Sequence, residues 1–271
     1  MNTSIALCSV VTRSVLPEFR LLKYSFELYH GAGRRWFLRT DRASADALAG
    51  HPRISCTVFT DEILQRPDIE CADFRTIVGQ KMNALADAWD SGCGSVLFMD
   101  ADLLITAPIL GLLQSIPGQV LLAPNYYPKG HEHFIPIHGY YNAGLAFTRT
   151  NEFHVWWKNA FAAEPTRWTD QAVLNEAWRY FEIGTIPNSA NIGFWRSANG
   201  LQHPAIPADC SCLHAHFFQP LRTVRQWIDR AFALHCVEYL NGSHDTRHGK
   251  LLRKILATDA PGWYQAAMRI R

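Results

Sequence analysis

FMDADLLIT, residues 98–106, sets two carboxylates, Asp100 and Asp102, between two apolar runs. The residues in front of them, Ser95 to Met99 (SVLFM), have the near-continuous apolar character of a strand buried on both faces of a parallel sheet. Leu103, Leu104 and Ile105 follow, so the acidic pair stands at the edge of a core and not on a solvated face. Ligands in open α/β sheets collect where strands leave the sheet at their carboxyl ends. In extended backbone, residues i and i+2 point to the same side, so Asp100 and Asp102 can meet one cation. Buried carboxylates without partners are costly, and either a cation or a basic side chain has to compensate them. Lys81, on the helix before this strand, is a basic neighbour of that kind. The plain alternative is a pair of aspartates in a surface turn.

Working outward, strands and helices alternate. Ser4–Thr12 reads as a buried parallel strand, and residues 17–30 as a helix with Phe19, Leu22, Phe26 and Tyr29 at helical spacing, stopped by Gly31. Residues 35–40 and 54–59 read as further strands with a short helix at 43–49 between them, and 79–89 reads as a helix leading to the 95–99 strand. Short strands follow at 120–123 and 144–148, then helices at 152–161, 170–180, 226–240 and 250–256. This alternation predicts an α/β fold, a mostly parallel central sheet with helices on both faces and a helical segment at the C-terminal end. No repeat or low-complexity tract divides the 271 residues, so they read as one domain: a nucleotide-binding half at 1–102, a donor-sugar and acceptor half at 103–222, and a helical segment at 223–271.

Composition excludes several classes. With 48% hydrophobic and 18% charged residues the chain reads as a globular enzyme. A net charge of +2 gives no general pull toward nucleic acid or an acidic membrane. No window approaches the roughly 20 apolar residues of a membrane span, and the run Ile5 to Val11 is too short for a signal peptide. The seven cysteines show no C-x-x-C ligand pairing and read as free thiols, which points to the cytoplasm. Oligomeric state is not readable.

Hard oxygen donors at Asp100 and Asp102 suit Mn2+ or Mg2+, ions that bridge the phosphates of a nucleotide and stabilise the charge on a leaving diphosphate. Four blocks then occur in order: MDADLLIT (99–106), YYNAGLAFT (140–148), TDQAVLN (169–175) and HFFQPLR (216–222). Together they resemble the GT-A fold glycosyltransferases, most of all glycosyltransferase family 8, the galactosyltransferase and glycogenin group. The resemblance implies a GT-A, Rossmann-like fold and transfer of a hexose from a nucleoside-diphosphate sugar, such as a UDP-sugar, to a hydroxyl acceptor such as a glycan, with retention at the anomeric carbon. It implies a metal held by Asp100, Asp102 and His216, with His214 as the alternative imidazole. Arg222 falls where that family places a phosphate-binding lysine. Asn142, Ala143 and Gly144 fall on its sugar-contacting loop, while Asp170 and Gln171 fall on the pair beside the reacting sugar face. Val11, Thr12 and Arg13, at the end of the first strand, would meet the base; Lys81, Asp100 and Ala101 would meet the rest of the donor. The chain departs from the family in having Gln219 for a glycine and Val224-Arg225 before Gln226-Trp227.

A loop at residues 125–138 (NYYPKGHEHFIPIH) carries Glu132, His131, His133 and His138, any of which would serve an inverting enzyme as a base. Two other classes use a similar carboxylate pair or fold. A nucleotidyltransferase announces itself by a Gly-rich phosphate loop, which residues 10–17 lack. A silent sugar-nucleotide-binding module has no need to keep the metal residues.

Overall fold

The computed structural model describes residues 4–63, 72–164, 170–196, 203–218 and 224–242, together with 250, 252, 254 and 255. Its first half is a run of β–α units: β1 (Ile5–Val11), α1 (Leu16–His30), β2 (Trp36–Asp41), α2 (Arg42–Leu48), β3 (Ile54–Thr60), α3 (Ala72–Asp90) and β4 (Ser95–Met99). Next come β5 (Leu103–Ile105), α4 (Leu110–Ser115), β6 (Val120–Pro124), α5 (Ile135–His138), β7 (Tyr141–Thr148) and α6 (Glu152–Ala163). A 3-10 helix at Ala172–Arg179 precedes β8 (Ile183–Thr185), β9 (Ile192–Gly193), β10 (Cys212–His214) and α7 (Val224–Gly242).

Seven strands form one sheet in the order β3-β2-β1-β4-β7-β6-β8. All neighbours pair in parallel except at β7, which runs antiparallel to both β4 and β6. This is the mostly parallel sheet that the strand–helix alternation predicts. Side chains along its central strands alternate between two cores. Leu7, Leu97, Met99, Leu121 and Phe147 join Phe19, Leu22 and Phe26 of α1 on one face. Cys8, Phe98, Leu122 and Ala146 join Val78, Met82 and Leu85 of α3 and Phe153, Trp157 and Phe161 of α6 on the other. Every residue of β1 and β4 is buried, as the unbroken apolar runs require.

Several boundaries follow from local chemistry. Pro17 lies in the first turn of α1, where its missing N–H costs nothing, and Gly31 ends the helix at φ 74°, donating its N–H to Glu27 O. Asp41 caps α2 by accepting the Ser44 N–H at 2.8 Å. The helix expected from Gly79 begins earlier, at Ala72, because Gly79 is a packing residue inside it: a Cβ there would sit 3.6 Å from the Phe161 ring of α6. Residues 170–180, expected as α-helix, are a 3-10 helix over Ala172–Arg179 that buries Ala172, Val173, Leu174 and Ala177. Of the helix expected at 250–256, only 250, 252, 254 and 255 lie within the described residues, and those are helical.

A second sheet, β5-β10-β9, has no counterpart in the sequence reading. Its strands are two or three residues long, too short for a period-2 pattern to declare itself. Leu104, Ile192, Leu213 and Phe217 from this region pack with Phe232, Cys236 and Leu240 of α7 in a third core.

α1 and α4 are joined by one histidine. The Ile109 N–H, at the start of α4, donates to His30 Nε2 at 3.2 Å, so the imidazole has to be neutral at that nitrogen. Burial, with the Arg34 charge adding to it, pulls His30 from 6.5 down to about 4. The unfolded chain therefore takes up this proton first, and stability is lost as pH falls from about 6.5 towards 4. His30→Gln, whose Oε1 can accept the same N–H, is expected to show a smaller drop in urea midpoint between pH 7 and pH 5 than the unaltered chain. An equal drop in both proteins would remove His30 as its source.

Candidate metal and active site

β4 ends at Met99 and β5 begins at Leu103, so Asp100-Ala101-Asp102 is the turn by which the chain passes from the large sheet to the small one. The Leu103 N–H closes that turn on Asp100 O at 3.2 Å, and the Asp100 N–H is held by Gly144 O of β7 at 2.8 Å. β1 runs parallel to β4, so Val11, Thr12 and Arg13 emerge at the same edge of the sheet. Arg13 gives its N–H to Asp41 Oδ2 at 2.7 Å, and the Thr12 hydroxyl lies 3.1 Å from that of Ser14. Asp41, which sequence reasoning passed over, ties the end of β1 to the α2 cap; its legible signal was the capping position three residues before Ser44.

Lys81 stands between two carboxylates. Its ammonium lies 2.9 Å from Asp100 Oδ1 and 3.1 Å from Asp170 Oδ2, and the lysine is 8% exposed. Burial pulls that ammonium towards neutrality, but Asp100 and Asp170 outweigh it and hold its pKa above the ordinary lysine value. Burial and the neighbouring Asp102 charge in turn hold the Asp100 carboxyl above its usual range, against the pull of Lys81. The Asp170 carbonyl accepts the indole N–H of the fully buried Trp157 at 3.0 Å, which anchors this end of the site to α6.

Asp102 is met from the other sheet. His214 Nε2 lies 2.9 Å from Asp102 Oδ1, and His216 Nδ1 lies 2.7 Å from Oδ2. Burial would raise the Asp102 carboxyl, but the two imidazoles outweigh it and hold it well below the usual range. The antiparallel pairing of β10 with β5 sets His214 opposite Leu103, and the Ala215 N–H donates to Asp102 O at 3.1 Å. One donor atom each from Asp100, Asp102 and His214 lie within 4.8 Å of one another, an arrangement able to hold a metal ion. His216, the ligand that the family resemblance implied, reaches Asp102 but is not in that group.

The Asn-Ala-Gly block is a buried amide network. Asn142 Oδ1 accepts from Gly144 N at 2.9 Å and from Asn191 Nδ2 at 3.0 Å, while its Nδ2 donates to Asn125 Oδ1 at 3.4 Å. Gln171 Oε1 accepts the Ala143 N–H at 3.4 Å, bringing the Asp170-Gln171 pair beside β7. Asn191 and Asn125 were not singled out from sequence, since an asparagine between short elements reads as a turn residue. Asn125 closes the base of the 125–140 loop: its N–H donates to Tyr140 O at 2.7 Å, and its Nδ2 to Gly139 O at 2.9 Å. Its carbonyl takes the Trp195 indole N–H at 2.9 Å, and the Trp195 ring stands edge-on to His214 at 4.9 Å. Tyr126 adopts φ 50°, costly for a side chain of this size, and is held there by its hydroxyl on Ile186 O and by Arg196 over its ring. In the same loop His131, His133 and His138 pack around the Phe134 ring in tilted and edge-on contacts. Among the expected site residues, Arg222 lies outside those described; the others gather along one edge of the large sheet and its junction with the small one.

No protein-family model matches the chain, and no curated protein sequence does. Solved structures match it. A crystal structure of the galactosyltransferase LgtC in complex with donor and acceptor sugar analogs gives a TM-score of 0.56 at 12% identity, over 97% of this chain and 99% of that one. An active-site mutant of LgtC gives the same values. The bifunctional glycosyltransferase WbbM in its apo form gives 0.52 at 12% identity, over 94% of this chain and 52% of that one. The chain therefore has the GT-A fold, as the four sequence blocks led one to expect. LgtC and WbbM are among the proteins whose fold it shares.

Gly144 makes the site breakable by a single methyl group. A Cβ there would meet His214 Cε1 at 2.5 Å, Asp100 Oδ2 at 2.8 Å and Asn142 Oδ1 at 2.9 Å. Gly144→Ala is expected to weaken divalent-cation binding by about 10- to 100-fold, the range for disturbed ligand orientation, with the far-UV circular dichroism unchanged; unaltered binding by calorimetry would show that the three groups do not share an ion. Lys81→Met leaves the buried Asp170 and the half-buried Asp100 without their cation, at a cost of about 3–5 kcal/mol. Added Mn2+ is expected to raise the Tm of Lys81→Met by more than that of the unaltered chain.

Proposed function

We propose that the protein is a metal-dependent glycosyltransferase that moves a hexose from a nucleoside-diphosphate sugar, such as a UDP-sugar, to a hydroxyl of a glycan acceptor, with retention of anomeric configuration. The observation that carries this reading is the group of Asp100, Asp102 and His214 at the carboxyl edge of a GT-A sheet. The donors fit a divalent cation. The buried Asp102 and Asp170 and the half-buried Asp100 bring three carboxylates together, with Lys81 the permanent positive charge beside them and the imidazoles of His214 and His216 on Asp102; imidazoles facing a cation would be neutral, which leaves an excess of negative charge for a dication to meet. Oxygen donors with one imidazole suit Mn2+, with Mg2+ as the alternative. Asp100 and Asp102 would hold the ion together with an imidazole of the Cys212–His216 segment. When bound, it would supply Lewis-acid stabilisation of the leaving diphosphate.

The chain's own groups supply the rest. Lys81 adds a fixed positive charge beside the carboxylates, positioned by two ion pairs and therefore already oriented for a phosphate oxygen. Arg222 would add a second. Val11, Thr12 and Arg13 lie at the β1 end, which would receive the base, and Asn142, Ala143 and Gly144, whose carbonyl holds the Asp100 N–H, would contact the donor together with Asp100 and Ala101. Asp170 and Gln171 would face the reacting sugar, where a carboxylate and an amide oxygen stabilise positive charge at the anomeric carbon. Retention is favoured by this placement of a carboxylate and an amide beside the sugar. No helix among the described residues is long and apolar enough to cross a membrane. The cytoplasm is the compartment we propose, since the described cysteines, Cys8, Cys56, Cys93, Cys210, Cys212 and Cys236, are free thiols.

The test is a panel of nucleotide sugars with Mn2+, scored for release of the nucleoside diphosphate. One donor is expected to turn over, chelation to stop it, and Asp102→Asn to lower the rate by on the order of a hundredfold or more. Unchanged turnover in Asp102→Asn would sink the metal assignment. Binding of UDP without any release, with or without Mn2+, would point to a silent module.

A further inference from the structure

We propose that the two histidines of the H-A-H segment divide the labour at the metal: His214 is the imidazole ligand, and His216 is a positioning residue that orients Asp102 and does not touch the ion. This rests on the metal-site reading above and assigns the two residues roles opposite to those that the sequence blocks imply. Three observations lead to it. His214 shares a 4.8 Å circle of donor atoms with Asp100 and Asp102, and His216 does not. Gly144 then leaves room for His214, for a Cβ there would lie 2.5 Å from His214 Cε1 and 2.8 Å from Asp100 Oδ2, so these two side chains converge at that spot across the seam of the sheets. Finally, the two imidazoles address different oxygens of Asp102. His214 Nε2 is 2.9 Å from Oδ1, close to the roughly 3 Å that separates adjacent ligands with metal–donor bonds of about 2.1 Å. His216 Nδ1 is on Oδ2 at 2.7 Å, the length of a charge-assisted hydrogen bond.

The surroundings suit those roles. His214 is packed by the edge of Trp195, whose indole N–H is held by Asn125 O, so the ring is fixed by a residue tied into the amide network. His216 is 4% exposed beside Phe194, out of reach of bulk water. A hydrogen bond from it removes one orientation of the Asp102 carboxylate and leaves Oδ1 turned to the ion, as outer-shell donors do for metal-binding carboxylates. The consequence is ion selectivity. An imidazole nitrogen adds affinity for Mn2+ and Co2+ over Mg2+, which keeps to oxygen, and that preference should reside in His214 alone.

The experiment measures Mn2+ binding to the full chain by electron paramagnetic resonance of the free ion, with Mg2+ by competition, both in the presence of UDP. The variants are His214→Gln, His216→Ala and His216→Asn, the last able to place an amide N–H where Nδ1 stands. His214→Gln is expected to weaken Mn2+ binding by on the order of a hundredfold and Mg2+ binding by at least tenfold less, collapsing the Mn2+/Mg2+ preference. His216→Ala is expected to weaken both ions by about tenfold with the preference intact, and His216→Asn to restore most of the loss. A readout that needs no folded His214 variant is the nitrogen modulation on bound Mn2+, which should persist in His216→Asn. Loss of that modulation in His216→Asn, or a collapse of preference in His216→Ala, would overturn the assignment. Should the unaltered chain bind neither ion with UDP present, the metal-site reading itself falls, a different outcome from a reversal of the two roles.

Discussion

Everything at the site depends on how the chain crosses from one sheet to the other. The Asp100-Ala101-Asp102 turn is the crossing, and each sheet supplies a partner to the aspartate nearer to it. The large sheet brings Lys81 from α3 against Asp100, and the small sheet brings His214 and His216 against Asp102. Asp102 is buried and Asp100 half-buried, and neither is tolerable there without its own partner, so burial of the turn and correct docking of the two sheets are one condition. The cost of the buried charges thereby becomes a source of specificity for the join.

A GT-A fold lets a very short β10 matter out of proportion to its length. Its three residues fix the register with β5, and the register carries His214 to Leu103 and the Ala215 N–H to Asp102 O. Behind it, the third core of Leu104, Leu213 and Phe217 against α7 gives that small sheet a hydrophobic backing of its own. On the other side, Trp157 reaches through the second core to the Asp170 carbonyl, so the position of the Lys81 partner is set by the packing of α6. The site is thus held by apolar burial acting at a distance of one residue from the charges.

The large sheet was legible in the sequence because its strands are long enough to show their character. β1, β2 and β4 are runs of five to seven residues buried on both faces, and the helices between them carry apolar residues at helical spacing. The acidic pair was legible for the same reason, since its flanks announced a core. The small sheet was not, because two- and three-residue strands take their conformation from partners far away in the chain. The two histidines could not be told apart by spacing, for in H-A-H both fall on one side of an extended chain. What separates them is the pairing with β5 and the absence of a side chain at Gly144, and neither is a local property. Asn142 was legible as a polar residue at the right place, but its two bonds as an acceptor depend on Asn191 and on the fold of its own turn.

The closure of residues 125–140 on Asn125 has an evolutionary consequence. Both ends of that segment are stitched at one residue, through Tyr140 O and Gly139 O, so the stretch between them is a cassette whose contents can be exchanged while its clasp stays shut. A lineage built on this frame can retailor what approaches from that side by insertion or replacement between Pro128 and His138, leaving β6, β7 and the acidic turn untouched.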